Sequence, residues 1–198
     1  MTNAVAGAPV RLPHTGLRVP DHSLSLSVYR EHSTSGGVAF SANLRVNSHV
    51  VGLVENQGHG GGTWLRADDW RAYGEQDLAE YAARCRSEDG QPVTVEDLLD
   101  ALIDEHDWTR KVAAAGRRGA MVLRLMDHAL SGDERLPDFP PYPQDATVVS
   151  SRVPWPLLVK RVLAEMPPGP HGWWQAWTGE CWRDVTPRPT GVSTALYG

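Results

Sequence analysis

VAFSANLRV, residues 38–46, is the stretch that decides the fold, because apolar residues alternate with small or polar ones through its whole length. The side chains of Val38, Phe40, Ala42, Leu44 and Val46 would lie on one side of an extended chain. A period of two over this length predicts a β-strand with one buried face. The remaining elements are predicted outward from this strand.

Shorter alternating runs on both sides of this strand predict an antiparallel sheet. Residues 24–28 alternate leucine and valine with serine, so Val28 is expected on the buried face. Asn47-Ser48 separates the central strand from residues 49–55, and two turn-forming residues between strands indicate a hairpin. Residues 63–66 are expected to add a short fourth strand.

Helices are predicted mainly after these strands. Apolar residues at helical spacing favour helices over 70–85, 94–103, 108–115 and 154–166, and a further strand is expected over 121–126. Thr94 with Asp97 three positions later resembles a capping box. The predicted class is α+β, with an antiparallel three- to four-stranded sheet, helices packed on one face, and a Pro/Trp-rich C-terminal extension.

The chain is expected to hold one core domain with extensions. Proline and glycine without periodicity predict a loose N-terminal arm over residues 1–22, followed by an α+β core domain over 23–130. Four prolines indicate a connector over 131–150, and a helix with a tryptophan-rich segment is expected over 151–198.

Composition is that of a globular protein, with 41% hydrophobic and 22% charged residues in a chain of 198. The net charge of −5 gives no overall attraction to nucleic acid or membranes, although a local basic patch would not show in a sum. No signal peptide or membrane-spanning run is recognisable, which predicts a cytoplasmic protein. Arginine far outnumbers lysine, as is typical of GC-rich bacterial coding.

ENQGHGGG, residues 55–62, is the main candidate for a binding site. Consecutive glycines permit positive φ and close approach by other atoms, and their N–H groups can form an anion-binding concavity. Neither the phosphate-binding P-loop nor the dinucleotide fingerprint is present. The predicted ligand- or partner-binding residues are Asn56, Gln57, Gly58, His59, Gly60, Gly61 and Gly62, with Arg45, Trp64 and Arg66 nearby.

Other interpretations of this run stay open. The glycines could serve a structural turn or bulge that reshapes a hairpin. Alternatively, His59 could be the acid or base of a small enzyme, since imidazole titrates near neutrality. No metal site or cofactor is predicted, because the histidines are scattered and Cys85 and Cys181 lack metal spacing.

Two further regions could contact a partner. Asp97, Asp100 and Asp104 recur at helical spacing, which is typical of a solvated surface but would also suit imitation of nucleic-acid phosphates. Four tryptophans crowd the C-terminal part, where they could fill a core or contact a partner: Trp173, Trp174, Trp177 and Trp182. If that piece is a strand, Trp173 and Trp174 lie on opposite faces.

The stretch Gly36–Leu44, with Gly52, Glu55–Gly58 and Gly60-Gly61, resembles a pattern in small uncharacterised phage and mobile-element proteins. The resemblance covers about residues 25–125 and implies no activity. The β-β-β-α order also resembles double-stranded RNA-binding domains, although the helix after the glycine run lacks their lysine-rich start.

These observations together predict a non-enzymatic binding protein of phage or mobile-element origin, with an anti-defence role fitting that origin. Its glycine-rich hairpin loop and acidic or aromatic surface would engage a protein partner or a small anionic ligand. The alternatives are an enzyme that uses His59 and a nucleic-acid-binding module. The sequence does not decide the oligomeric state.

Overall fold

A computed structural model describes residues 8–127 and 142–189 of the chain. It divides into two compact units, Met1–Trp108 and Thr109–Gly198. The predicted α+β class is confirmed, since helices and antiparallel sheets occur together in the described residues. The sequence placed the division in 131–150 instead, but residues 128–141 lie outside the described part, and 142–150 form a strand.

The first unit is built on an antiparallel sheet in which neighbouring strands follow the chain. The strands are β3 (Leu24–Thr34), β4 (Gly37–Val46), β5 (His49–Asn56) and β6 (Trp64–Ala67), in the order β3-β4-β5-β6. Asn47 and Ser48 join β4 to β5, both with positive φ, at 47° and 72°. Two left-handed residues match the right-handed twist of a hairpin, so the predicted turn is confirmed.

The N-terminal segment predicted as a loose arm is a hairpin in its described part. Strands β1 (Val10–Arg11) and β2 (Arg18–Val19) pair antiparallel. Apolar residues in and between these strands, Leu12, Leu17 and Val19, are buried in the core of the first unit. The sequence did not predict this pairing, because the segment contains scattered prolines and each strand is only two residues long.

Two helices cover the core face of the first sheet. These are α1 (Glu75–Ala82) and α2 (Val95–Arg117), and the division between the units falls inside α2. The capping box is confirmed: the Thr94 backbone N–H donates to Asp97 Oδ2 at 2.8 Å, and the Asp97 N–H donates to Thr94 Oγ1 at 3.1 Å. The two helices predicted over 94–103 and 108–115 are one, because Trp108 continues the apolar stripe.

The second unit contains its own antiparallel sheet, so the C-terminal part is more than an extension. Its strands are β7 (Ala120–Asp127), β8 (Tyr142–Ser150), β9 (Gly172–Trp177) and β10 (Trp182–Asp184), in the order β10-β9-β7-β8. Helix α3 (Trp155–Glu165) packs on one face, where its Leu158 and Val162 join Trp174 in the core. None of the described helices is long and apolar enough to span a membrane.

Candidate functional site

Within the described residues of the first unit, helices α1 and α2 pack on one face of the sheet, and the opposite face forms the candidate site. Leu26, Leu44 and Val54 represent the face that joins the core. Side chains alternate along a strand, so the neighbouring residues point the other way. We call this second side the outer face; its strand residues are Ser25, Ser27, Arg30, His32, Ala39, Ser41, Asn43, Arg45, Val50, Leu53, Glu55, Trp64 and Arg66.

A bulge in β3 decides which residues reach the outer face. Ser27 pairs with Asn43 and Arg30 with Ser41, so two residues of β3 oppose one of β4. Val28 occupies the bulge with φ of 54° and is 56% exposed. The prediction that Val28 lies on the buried face is therefore wrong. Uninterrupted alternation would have placed Arg30 and His32 on the core face, and the bulge turns them outward.

An open groove of about 470 Å³ lies on the outer face next to the glycine run. Three side chains that carry or can gain a positive charge line it: Arg30, His32 and His59. Ser41, Asn56 and Gln57 add hydrogen-bonding groups, and Glu55 is the acidic lining residue. The Glu55 Oε1 atom lies 3.7 Å from Arg66 Nε, which offsets its charge.

The first half of the glycine run is a turn held by side chains of the same unit. The Gly58 N–H donates to Asn56 Oδ1 at 2.8 Å, and Thr34 Oγ1 donates to the Gly58 carbonyl oxygen at 2.7 Å. Gly58 has φ of 69°, and a Cβ there would lie 2.6 Å from the Ala39 nitrogen. Gly58 is therefore required by the protein's own packing rather than by a ligand.

The second half of the run differs, because nothing lies against part of it. A Cβ at Gly60 or Gly61 would meet no atom within 4 Å, although Gly60 has φ of 80°. Within the described part of the chain, the backbone N–H groups of residues 59–61 donate no hydrogen bond. They remain available to an external acceptor, as an anion-binding loop requires.

The far end of the run is fastened to α2. Thr63 Oγ1 donates to Asp100 Oδ1 at 2.6 Å, and Asn56 Nδ2 donates to the Gly61 carbonyl oxygen at 3.0 Å. Partial burial raises the pKa of Asp100, and the nearby carboxylates of Glu96 and Asp97 raise it further, against the opposing hydrogen bond from Thr63. The loop is thus tied at both ends.

The structure brings together only some of the predicted site residues. Asn56, Gln57 and His59 line the groove, whereas Gly58, Gly60, Gly61 and Gly62 shape the loop beside it. Trp64 and Arg66 lie on β6, beside the groove and not in its lining, where Trp64 pairs with Glu55 and Arg66 with Leu53. Arg45 donates to the Ser48 carbonyl oxygen at the β4–β5 turn, about 13 Å along the strand from Ser41.

Sequence reasoning missed Arg30, His32 and Ser41. Strand β3 continues six residues beyond Val28, to Thr34, and both missed cations lie in that continuation. The sequence signal that could have placed Arg30 and His32 on one face of the strand is their alternation with Tyr29 and Glu31. The bulge shifts this alternation by one residue, so a single strand pattern does not fit the whole segment.

The acids of α2 are partly engaged within the first unit. Glu105 Oε2 accepts hydrogen bonds from the backbone N–H groups of His14 and Thr15, both at 3.0 Å. Asp97 caps the helix and Asp100 accepts from Thr63. These contacts favour a structural role over imitation of nucleic-acid phosphates.

The second unit holds a polar row that is closed rather than open. Arg124 Nε donates to Gln175 Oε1 at 2.9 Å, and both side chains are fully buried. Gln175 Nε2 donates to Asp184 Oδ1 at 2.9 Å. The Arg124 guanidinium lies over the Trp182 ring at 4.0 Å. Trp173 and Trp174 lie on opposite faces of β9, as expected for a strand, but both are buried.

The two cysteines are free and differ in exposure. Cys181 is exposed, whereas Cys85 is buried in the core of the first unit. Burial raises the pKa of the Cys85 thiol to about 11, so it is not ionised at neutral pH. The described residues contain no cluster of side chains that could hold a metal ion.

The chain matches no protein-family model, and neither curated proteins nor solved structures give a significant match. The function of the chain is therefore inferred from the geometry of the outer face and its groove.

Proposed function

We propose that this chain is a non-enzymatic binding protein that holds an anionic ligand in the groove beside the glycine run. The observation that carries the proposal is the convergence of Arg30, His32 and His59 on one open groove. Among the described residues that line the groove, Glu55 is the one acid, and it already lies next to Arg66. An anion entering the groove would meet uncompensated positive charge.

The glycine run supports the same ligand class. Its residues 59–61 offer backbone N–H groups without an acceptor in the described structure, next to the His59 side chain. Backbone N–H groups and guanidinium groups together are the usual ligands of phosphate and carboxylate oxygens. The groove volume of about 470 Å³ also falls within the range of small-molecule sites.

The enzymatic alternative has less support in the geometry. The His59 side chain makes no hydrogen bond to a carboxylate within the described residues, so no partner orients it as a general base. Ser41 lines the groove, but no hydrogen bond joins it to His32 or His59 in that part of the chain. We therefore favour binding over catalysis.

Isothermal titration calorimetry with ATP as the anionic probe tests the proposal. Arg30→Gln is expected to weaken ATP binding about tenfold, because a charge-assisted hydrogen bond is lost. Arg18→Gln is the matched control, since Arg18 is an exposed arginine of the same unit on β2. Absence of ATP binding by the wild-type protein, or equal loss in both variants, would contradict the proposal.

A further inference from the structure

The outer face carries positive charge well beyond the groove. Strand pairing arranges its residues in rows across the sheet. Arg30 shares a row with Ser41, Glu55 and Trp64. Arg66 lies in the next row, with Ser27, Asn43 and Leu53, and Arg45 in the row after that. Three successive rows therefore each contain one arginine.

The length of this charged surface exceeds what one small anion needs. Rows on one face are about 7 Å apart, because each lies two residues further along the strand. His32 lies one row beyond Arg30 on the opposite side from Arg66, so His32 and Arg45 are three rows apart. The positive surface spans roughly 20 Å. A chain that carries several negative charges would use all of it.

The other side chains of the face suit nucleotides. Trp64 is 37% exposed and lies beside the charged rows, where its ring can stack on a base. Ser25, Ser41 and Asn43 offer neutral hydrogen-bonding groups between the arginines. Of the described strand residues on this face, Glu55 alone is acidic. Little on the face repels a phosphate backbone.

Charge segregation explains how an acidic protein can present such a surface. The net charge is −5, and helix α2 on the core side of the sheet carries six acids: Glu96, Asp97, Asp100, Asp104, Glu105 and Asp107. Six acids thus lie on the helix side of the sheet, whereas the described strand residues of the outer face include three arginines and one acid.

We infer that the outer face binds single-stranded nucleic acid, with phosphates on Arg30, Arg45 and Arg66 and a base stacked on Trp64. This inference rests on the proposed anion-binding function and names its ligand. An open sheet that combines arginines with an exposed aromatic ring fits unpaired bases, which can turn toward a stacking surface. An acidic peptide would use the charges but not the ring.

Fluorescence anisotropy with a labelled twelve-nucleotide oligothymidylate tests the inference. The wild-type protein is expected to bind it at least tenfold more tightly than ATP, because more phosphates are contacted. The logarithm of affinity should fall with the logarithm of salt concentration with a slope of about −2, as three phosphate contacts predict. A poly-glutamate peptide of equal length is the competing ligand.

Variants outside the groove separate this inference from the proposed function. Arg45→Gln should weaken oligothymidylate binding severalfold and leave ATP binding unchanged, whereas Arg66→Gln also removes the charge beside Glu55 and should weaken the binding of both ligands. Trp64→Ala should weaken it about tenfold, and Trp64→Phe should retain most of the affinity. Trp70→Ala is the control, because Trp70 is 69% exposed in the same unit but lies outside the sheet.

The outcomes are distinguishable. If ATP binds in the groove but the oligonucleotide binds no more tightly, the inference fails and the proposed function stands. If neither binds, both fail. Tighter binding of poly-glutamate, or equal losses in Trp64→Ala and Trp70→Ala, would overturn the assignment to nucleic acid.

Discussion

The two sheets of this protein use arginine in opposite ways. Arg124 of the second sheet is fully buried, stacked on Trp182 and hydrogen-bonded to Gln175. Arg30 of the first sheet is exposed and lines an open groove. Both residues lie within strands, so secondary structure does not separate their roles. Their surroundings do: aromatic and amide neighbours make one structural, and solvent leaves the other available to a ligand.

Replacing the two arginines is expected to give the largest difference between the sheets. Arg124→Ala should lower the free energy of unfolding by about 3–5 kcal/mol, because it leaves a cavity and removes the hydrogen-bond partner of Gln175. Arg30→Ala should change it by less than about 0.5 kcal/mol. Urea unfolding followed by circular dichroism measures both. Equal effects in the two variants would remove the distinction between a structural and a ligand-binding arginine.

Much of the first unit could be predicted because its strands and turns follow local rules. Ala42 and Leu44 are buried as the alternation of residues 38–46 predicts, although Val38 is exposed and Ala39 buried, and Thr94 with Asp97 forms the expected capping box. The hairpin at Asn47-Ser48 is also local. Each of these features depends on residues within a few positions of one another, which is the information that a single sequence holds most directly.

The candidate site was harder to predict because it depends on contacts between distant residues. Gly58 packs on Ala39, and Thr63 bonds to Asp100, neither of which a local pattern reveals. The bulge at Val28 reverses the faces of the following residues, which concealed Arg30. In the second unit, Arg124 and Gln175 meet across 51 positions of sequence.

Alanine substitutions at two glycines of the same run compare the stability of its packed half with that of its open half. Gly58→Ala should cost about 2–4 kcal/mol, since φ is 69° and the added Cβ would meet the β4 backbone at 2.6 Å. Gly61→Ala should cost less than about 0.5 kcal/mol, because its Cβ would meet nothing within 4 Å. Thermal unfolding of both variants compares them. A large loss in Gly61→Ala would contradict the division of the run into a packed and an open half.

The smallest expected effect concerns valine in the two sheets. Val28→Gly should raise the free energy of unfolding by about 0.5–1 kcal/mol. Glycine relieves the left-handed strain at φ of 54°, and the strain energy relieved exceeds the entropic cost of introducing glycine. Val148→Gly in β8, where the valine is 50% exposed with ordinary strand geometry, should lower it by a similar amount. Urea unfolding should therefore give opposite signs for one substitution. A loss of stability in both would mean that the bulge, which turns Arg30 toward the outer face, is held without strain at Val28.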